Sequence, residues 1–134
     1  MSTKPSLVKD YMAQTLVTFK SDTDVLDAVH ELVNHRIAGA PVLDDAGNII
    51  GMLSELDCMQ VVLHAGYHSQ MGGPVADYMS SDVKTVNASM SIFDLAQLFI
   101  ESPYRRFPVT DQNRLVGQIS RRDVLRALQI LTQA

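Results

Sequence analysis

The sequence GMLSELD, residues 51–57, has a counterpart in GQISRRD, residues 117–123. In both stretches a serine follows a glycine by three positions, and an aspartate follows the serine by three. Each stretch comes after an apolar run and leads into another, as expected where a strand ends and a helix begins. Serine at the N-cap with an acidic residue three positions later is a helix-start signal. Finding this signal twice in one chain indicates an internal repeat.

The repeat extends over most of the chain. VKDYM, residues 8–12, returns as VADYM, residues 75–79, and Pro41-Val42 returns as Pro108-Val109, each 67 positions later. The two glycine-to-aspartate stretches are 66 positions apart because the turn before them is one residue shorter in the second copy. Turns tolerate such deletions. Two half-chains therefore share one pattern.

Each copy predicts the order strand, helix, strand, strand, helix. In the first copy, apolar residues over 25–33 recur at helical spacing, with Asp22 or Asp24 available as the N-cap. In the second copy, Ser91-x-x-Asp94 opens the corresponding helix. Because neither copy buries a large core alone, we predict an α/β (α+β) fold in which two β-α-β-β-α repeats pack about a pseudo-two-fold axis. The predicted domains are repeat 1 with its N-terminal lead-in (1–65), a linker (66–74) and repeat 2 (75–134).

Composition and charge exclude several classes of protein. The chain has 134 residues, of which 46% are hydrophobic and 19% charged, as in a soluble globular protein. No apolar run approaches the length of about 20 residues that spans a bilayer, and the N-terminus lacks a secretory signal pattern. The net charge of −4 argues against a general nucleic-acid binder, although residues 1–74 carry −5 and residues 75–134 carry +1. We expect no membrane and no nucleic-acid partner.

The cysteine and histidine content gives little indication of metal or redox chemistry. The single cysteine, Cys58, cannot form an internal disulfide, and its apolar neighbours favour a buried thiol in a reducing, cytoplasmic setting. Of the four histidines, His64 and His68 are four positions apart, but Gly66 and Tyr67 argue against a continuous helix between them. No cysteine or acidic residue completes a ligand set, so we predict no metal site.

The duplicated pattern resembles a pair of cystathionine-β-synthase (CBS) domains, known as a Bateman module. The resemblance rests on the repeated β-α-β-β-α unit, on Pro-Val at the second strand and on Gly-x-x-Ser-x-x-Asp after the third, and it covers residues 8–131. It implies a stand-alone CBS-domain protein in which the motif aspartate holds the ribose of an adenosine ligand. AMP, ADP, ATP or S-adenosylmethionine are the ligands that the resemblance implies, and no cofactor is required.

The residues themselves allow two interpretations of the motif. A helix N-terminus after a strand presents free N–H groups and a positive dipole to an anion, and an ionised aspartate accepts hydrogen bonds from a vicinal diol. The same atoms also make an ordinary helix cap. By the resemblance, a first cleft combines Thr15, Val17, Ile37, Ala38, Gly39, Arg106, Ile119, Ser120, Arg121, Arg122 and Asp123. A second, weaker cleft combines Asp82, Lys84, Tyr104, Arg105, Leu53, Ser54 and Asp57.

The two predicted clefts differ in charge. Arg106 precedes Pro-Val in repeat 2, where repeat 1 has Gly39, and Arg121 stands where repeat 1 has Glu55. A polyphosphate in the second cleft meets like charges with less compensation. We therefore expect the cleft at Asp123 to take a phosphorylated adenosine. The other cleft is expected to stay empty or to take an uncharged or cationic adenosyl ligand.

Two functions remain open at this point. The first is an adenosine-ligand sensor that acts through a homodimer, which the resemblance implies, and through an unidentified effector protein in trans. The second is a dimerising protein-interaction module whose nucleotide clefts are vestigial. Neither motif serine lies in a nucleophile elbow, and no glycine-rich loop ending in Lys-Ser or Lys-Thr is present. We therefore predict no catalytic residues and no enzyme activity.

Overall fold

The computed structural model describes residues 4–14, 16–68 and 72–133, and for residues 65–68 it describes the backbone alone. The chain divides into two compact units. Unit 1 comprises Met1–Leu16 together with Lys84–Ala134, and unit 2 comprises Val17–Val83. Each unit contains one three-stranded sheet and two α-helices, which confirms the predicted α/β class.

Unit 2 has the predicted order strand, helix, strand, strand, helix. Its elements are β1 (Phe19–Lys20), α1 (Val25–His35), β2 (Gly39–Leu43), β3 (Ile49–Ser54) and α2 (Glu55–His68). Strand β2 lies between β1, to which it is parallel, and β3, to which it is antiparallel. Helix α1 begins after Asp24, whose Oδ1 accepts a hydrogen bond from Leu26 N at 2.8 Å. The N-cap predicted at this aspartate is confirmed.

Unit 1 repeats this arrangement. Its elements are β4 (Val86–Asn87), α3 (Ile92–Glu101), β5 (Arg106–Asp111), β6 (Arg114–Ser120) and α4 (Arg121–Leu131). Strand β5 is parallel to β4 and antiparallel to β6. Ser91 caps α3, with its Oγ accepting from Phe93 N at 3.1 Å. The repeat found in the sequence is therefore a repeat of structure.

Each unit has its own hydrophobic core, because the apolar face of each helix covers one face of its sheet. The core of unit 2 consists of Phe19, Val25, Ala28, Leu32, Ala40, Val42, Leu53, Cys58, Val61 and Val75. The core of unit 1 consists of Val8, Val86, Ala88, Ile92, Leu95, Phe99, Phe107, Val109, Ile119, Val124 and Ala127. The Pro-Val strands and the strands before the motif supply the buried centre of both cores.

The two lead-in segments, VKDYM (8–12) and VADYM (75–79), each pack in the unit formed by the other repeat. Val8 belongs to unit 1, where its N–H donates to Met90 O at 2.8 Å, although it lies in the N-terminal lead-in of repeat 1 in the sequence. Val75 belongs to unit 2, where its N–H donates to Thr23 O at 2.8 Å, although it is the first residue of repeat 2 in the sequence. Both valines are fully buried. The compact units therefore differ in membership from the sequence repeats.

This exchange sharpens the charge difference along the chain. Unit 1 contains nine Lys and Arg against five Asp and Glu, a net charge of +4. Unit 2 contains two Lys and Arg against ten Asp and Glu, a net charge of −8. The two units therefore carry opposite net charges.

One expectation about a helix was wrong. Helix α2 runs without interruption to His68 and so passes through Gly66 and Tyr67. Glycine lowers helix stability by only about 1 kcal/mol relative to alanine, which the rest of a 14-residue helix can offset. No helix in the described ranges is long and apolar enough to cross a bilayer.

Candidate functional site

The motif of unit 2 lies where β3 ends and α2 begins. Ser54 N donates to Asp57 Oδ2 at 2.8 Å, and Asp57 N donates to Ser54 Oγ at 3.2 Å. These reciprocal bonds form a capping box, hereafter the first capping box. Both residues are half-buried, so the carboxylate is fixed in place while part of it still faces solvent.

The motif of unit 1 has almost the same geometry. Ser120 N donates to Asp123 Oδ2 at 2.9 Å, and Asp123 N donates to Ser120 Oγ at 3.2 Å. We call this pair the second capping box. The helix-cap interpretation of the motif is therefore correct at both copies. It does not exclude ligand binding, because in each box one carboxylate oxygen is held by the backbone and the other points elsewhere.

The second oxygen distinguishes the two boxes. Asp123 Oδ1 accepts from Arg126 Nη2 at 2.6 Å, with 19% of the aspartate side chain and 67% of the arginine side chain exposed. The position equivalent to Arg126 in α2 is Gln60, which is exposed. Within the described ranges, no hydrogen bond to Asp57 Oδ1 is present. Among the residues that the structure describes, a cation contacts the outer carboxylate oxygen of the second box and none contacts that of the first.

Sequence reasoning missed Arg126. The available signal was its position three residues after Asp123 inside a helix, a spacing at which opposite charges meet. The same signal is absent from repeat 1, since Gln60 carries no charge.

In unit 1 the backbone brings the residues before Pro-Val next to the second capping box. Arg106 is paired with Ser120 in the antiparallel register of β5 and β6. Arg121 N donates to Arg105 O at 3.0 Å, and Arg121 Nε donates to Tyr104 O at 3.1 Å. Tyr104 and Arg105, which we assigned to the second cleft, thus contact Arg121, which we assigned to the first. All three arginines are exposed.

In unit 2 the equivalent position has no side chain, and the strands approach closely there. Gly39 is paired with Ser54, and Glu55 N donates to Ala38 O at 2.9 Å. A Cβ placed on Gly39 would lie 3.0 Å from Leu53 O, closer than most real Cβ contacts. The position that holds Arg106 in unit 1 is therefore a glycine in unit 2 and supplies no cation.

The remaining candidate residues differ in how far their side chains are exposed to solvent. Leu53 and Ile119 are fully buried in the cores, so only their backbone can meet a ligand. Val17 and Ile37 are half-buried against the core of unit 2. Exposed side chains belong to Ala38, Asp82, Lys84 and Arg122. Thr15 lies outside the described residues. The grouping of residues from both units into two clefts stays a prediction.

Cys58 follows the first capping box and is buried, as predicted. Burial raises the pKa of its thiol above the ordinary value, and the negative charges of Asp57 and Glu55 raise this pKa further. The thiol is therefore kept protonated and unreactive. Among the described residues, no group of three or more His, Cys, Asp or Glu is arranged to hold a metal ion.

Comparison with known proteins identifies the family. A model of the CBS domain matches residues 8–64 and 75–130, which together make up most of the chain. The chain belongs to the CBS-domain family. Both matched segments of this CBS-domain protein include one capping box, and the family predicted from the sequence is confirmed.

Solved structures and curated proteins resemble most of the chain. The crystal structure of CBSX2 in complex with AMP is 30% identical, covers 96% of this chain and 100% of its own, and superimposes with a TM-score of 0.80. A second structure, CBSX2 from Arabidopsis thaliana, is 31% identical over 98% of this chain and has a TM-score of 0.79. YhcV from Bacillus subtilis is 31% identical over 119 residues, which are 89% of this chain and 83% of YhcV. MJ1225 from Methanocaldococcus jannaschii is 26% identical over 121 residues, and this chain spans 42% of its length.

Proposed function

We propose that the chain is a regulatory module that binds an adenosine ligand at its capping boxes. Binding is proposed to be signalled through a homodimer to an effector protein in trans. The observation that carries the proposal is the duplicated capping box, in which a backbone-fixed carboxylate stands at a helix N-terminus directly after a strand. The AMP-bound CBSX2 structure supports it, because that protein is 30% identical over 96% of this chain.

The two carboxylates are proposed to hold the ribose. In each box the backbone N–H of the serine fixes Oδ2, so Oδ1 is the oxygen that can accept from a ribose hydroxyl. A carboxylate that is already oriented loses little conformational entropy when a ligand binds. The fully ordered box therefore favours diol recognition as well as helix capping.

The phosphate of a nucleotide is proposed to bind on the side of unit 1. Arg106, Arg121 and Arg122 are exposed. Arg106 is paired with Ser120 across the sheet, and the other two arginines lie between Ser120 and Asp123 in the sequence. Arg126 adds a fourth cation, and a ligand hydroxyl that takes Asp123 Oδ1 releases its guanidinium for an anion. The first box has Gly39 and Gln60 at the equivalent positions, so we expect it to prefer an uncharged or cationic adenosyl group.

A ligand screen by thermal unfolding tests this function. Ligands that bind only the folded state raise its stability by RT ln(1 + [L]/Kd), or about 2.7 kcal/mol at a hundredfold excess over Kd. We expect AMP, ADP or ATP to raise the melting temperature, with S-adenosylmethionine and NAD as the other compounds of the screen. If none of these compounds raises the melting temperature, the proposal is ruled out.

Calorimetric titration of Asp123→Ala and Asp57→Ala then assigns the two boxes. Losing one charge-assisted hydrogen bond costs about 1.5–3 kcal/mol, so the affinity for AMP is expected to fall ten- to a hundredfold in Asp123→Ala. The fall in Asp57→Ala is expected to be much smaller. Equal losses in the two variants would contradict the assignment of the phosphorylated ligand to unit 1.

The alternative function is a dimerising interaction module whose clefts bind nothing. The exposed apolar side chains of α2, such as Leu56 and Met59, favour a role in protein contact. No melting shift combined with a stable homodimer would favour this alternative. Neither function assigns a catalytic residue, and the cytoplasmic location remains a prediction.

A further inference from the structure

Each lead-in segment ends in a methionine whose thioether lies against the glycine of a Gly-x-x-Ser-x-x-Asp motif. A Cβ placed on Gly117 would lie 2.5 Å from Met12 Sδ, and a Cβ placed on Gly51 would be still closer to Met79 Sδ. Neither glycine has a positive φ, so the backbone conformation does not require glycine here. The missing side chain instead makes room for the sulfur. We call these the two methionine–glycine contacts.

The residue after each methionine is joined to a strand by two backbone hydrogen bonds. Ala13 N donates to Gln118 O at 2.8 Å, and Gln118 N donates to Ala13 O at 2.9 Å. Ser80 N donates to Met52 O at 2.9 Å, and Met52 N donates to Ser80 O at 2.8 Å. Both pairs are isolated bridges outside the named strand pairings. The attachment of each lead-in segment to β6 or β3 therefore depends on one bridge and the methionine–glycine contact beside it.

The other end of each lead-in segment is held separately. Val8 and Val75 are fully buried, and their N–H groups donate to Met90 O and Thr23 O, both at 2.8 Å. If a methionine–glycine contact were lost, the chain could leave the strand from the methionine onward while the valine stayed in place. The structure thus contains two short segments that can open locally without unfolding a unit.

Methionine sulfur is open to a specific modification. Hydrogen peroxide transfers one oxygen atom to the thioether, so that the sulfur loses two electrons and the peroxide leaves as water. The product is a sulfoxide, which is larger and more polar than the thioether. Met12 and Met79 are half-buried, and the residues that follow them, Ala13 and Ser80, are exposed. Both methionine–glycine contacts therefore lie within reach of a small oxidant.

A sulfoxide does not fit the methionine–glycine contacts as a thioether does. The N–H groups of Ala13 and Gln118 bind each other's carbonyl oxygens, and the second bridge uses its two N–H groups in the same way. The carbonyl oxygen of Ala13 is also 2.8 Å from the Cβ position of Gly117, so the sulfoxide oxygen would meet another acceptor. It must turn to water, which takes the side chain off the glycine, or take an N–H from the bridge. Either outcome weakens the attachment to the strand.

We propose that Met12 and Met79 are oxidation sites at which hydrogen peroxide releases the lead-in segments from β6 and β3. In each unit the bridged strand residue lies two positions before the motif serine, so release loosens the strand that leads into a capping box. Oxidation is therefore expected to lower the affinity for adenosine. This consequence rests on the proposed function, whereas the modification and the release do not.

Mild peroxide treatment of the full chain, followed by peptide mass analysis and amide hydrogen exchange, tests the release. We expect sulfoxide at Met12 and Met79. The amide protons of Ala13 and Ser80 should then lose protection against exchange about tenfold or more, because each loses its hydrogen bond. The amide protons of the two lead-in valines should keep their protection.

A leucine variant is the matched control. Met12→Leu combined with Met79→Leu keeps nearly the same side-chain volume and has no sulfur to oxidise at either contact. We expect its bridges to be protected before treatment and to stay protected afterwards, although the exposed Met59 can still be oxidised. Gly117→Ala is the converse variant, since it displaces the thioether without an oxidant. It should lower the protection of the Ala13 amide and leave that of Ser80 unchanged.

Three results would overturn the proposal. The first is sulfoxide at both methionines with unchanged protection at Ala13 and Ser80. The second is a treatment that oxidises the half-buried Met90 and leaves Met12 and Met79 unmodified. The third is an equal loss of protection in the leucine variant, which would place the effect at other methionines.

Isothermal titration with adenosine, before and after peroxide treatment, tests the consequence for the capping boxes. We expect affinity to fall in the unmodified sequence and to be retained in the leucine variant. Equal affinity before and after oxidation would refute the regulatory consequence. Absence of adenosine binding before oxidation would contradict the proposed function instead, and the exchange measurement would still decide whether oxidation releases the lead-in segments.

Discussion

Replacing Arg126 with glutamine is expected to tighten the binding of adenosine at the second capping box. In the free chain, Arg126 Nη2 donates to Asp123 Oδ1 at 2.6 Å and therefore competes with a ribose hydroxyl for that oxygen. The arginine side chain is 67% exposed, which places the pair among solvent-screened ion pairs that contribute about 0.2–1 kcal/mol. Removing this competition should improve the affinity for adenosine by a factor of about 1.4 to 5. Glutamine is the residue that repeat 1 has at the equivalent position, Gln60.

Adenosine is the suitable ligand because it has the ribose diol and no phosphate. With AMP the same change also removes a cation that can meet the phosphate, so the ratio of AMP affinity to adenosine affinity should fall. Isothermal titration in an Asp57→Ala background isolates the second box. The matched control is Gln60→Arg in an Asp123→Ala background, which introduces the competing arginine at the first box. This change should lower the affinity for adenosine by the same factor. If Arg126→Gln left adenosine binding unchanged or weakened it, the competition argument would be refuted.

Three further predictions concern the stability of the folded chain. Gly117→Ala would place a Cβ 2.5 Å from Met12 Sδ and 2.8 Å from the carbonyl oxygen of Ala13, so we expect a loss of about 1–3 kcal/mol in denaturant unfolding. Phe107→Ala should cost about 3–5 kcal/mol by the same measurement, because this fully buried ring packs on two others at centroid distances of 4.9 and 5.4 Å. The raised pKa of the Cys58 thiol favours the protonated folded state, so its contribution to stability should be lost as pH rises above the ordinary thiol range. Unfolding of Cys58→Ala should lack this component of the alkaline decline.

Much of the fold was predictable because its signals are local. The period of apolar residues changes between strand and helix in each copy, and Asp24 and Ser91 are the caps that the sequence indicates. The motif at Ser54 and Ser120 correctly marked the two strand-to-helix junctions. The family could be predicted because these motifs recur at matching positions in both copies of the repeat.

The rest depends on choices that the sequence leaves open. VKDYM and VADYM are so alike that their patterns do not say which unit each one joins, and only the folded chain fixes the exchange. The spacing of Arg126 from Asp123 allows an ion pair, but the arginine has many rotamers and could also have faced solvent. Helix α2 continues through Gly66 because the other residues of the helix offset the small loss of helix stability that a glycine causes.

The exchanged lead-in segments have a consequence for the order in which the chain folds during synthesis. Unit 2 is continuous, so every residue it needs has been made once Val83 leaves the ribosome. Unit 1 begins first and closes last, because Lys4 Nζ donates to Ile130 O across a sequence separation of 126 residues. Residues 4–14 must therefore wait for repeat 2: Val8 has no backbone partner until Met90 has been translated, and Lys4 has none at Ile130 until α4 has been translated. A nascent chain cut short before α4 would present a finished acidic unit and an unfinished basic one.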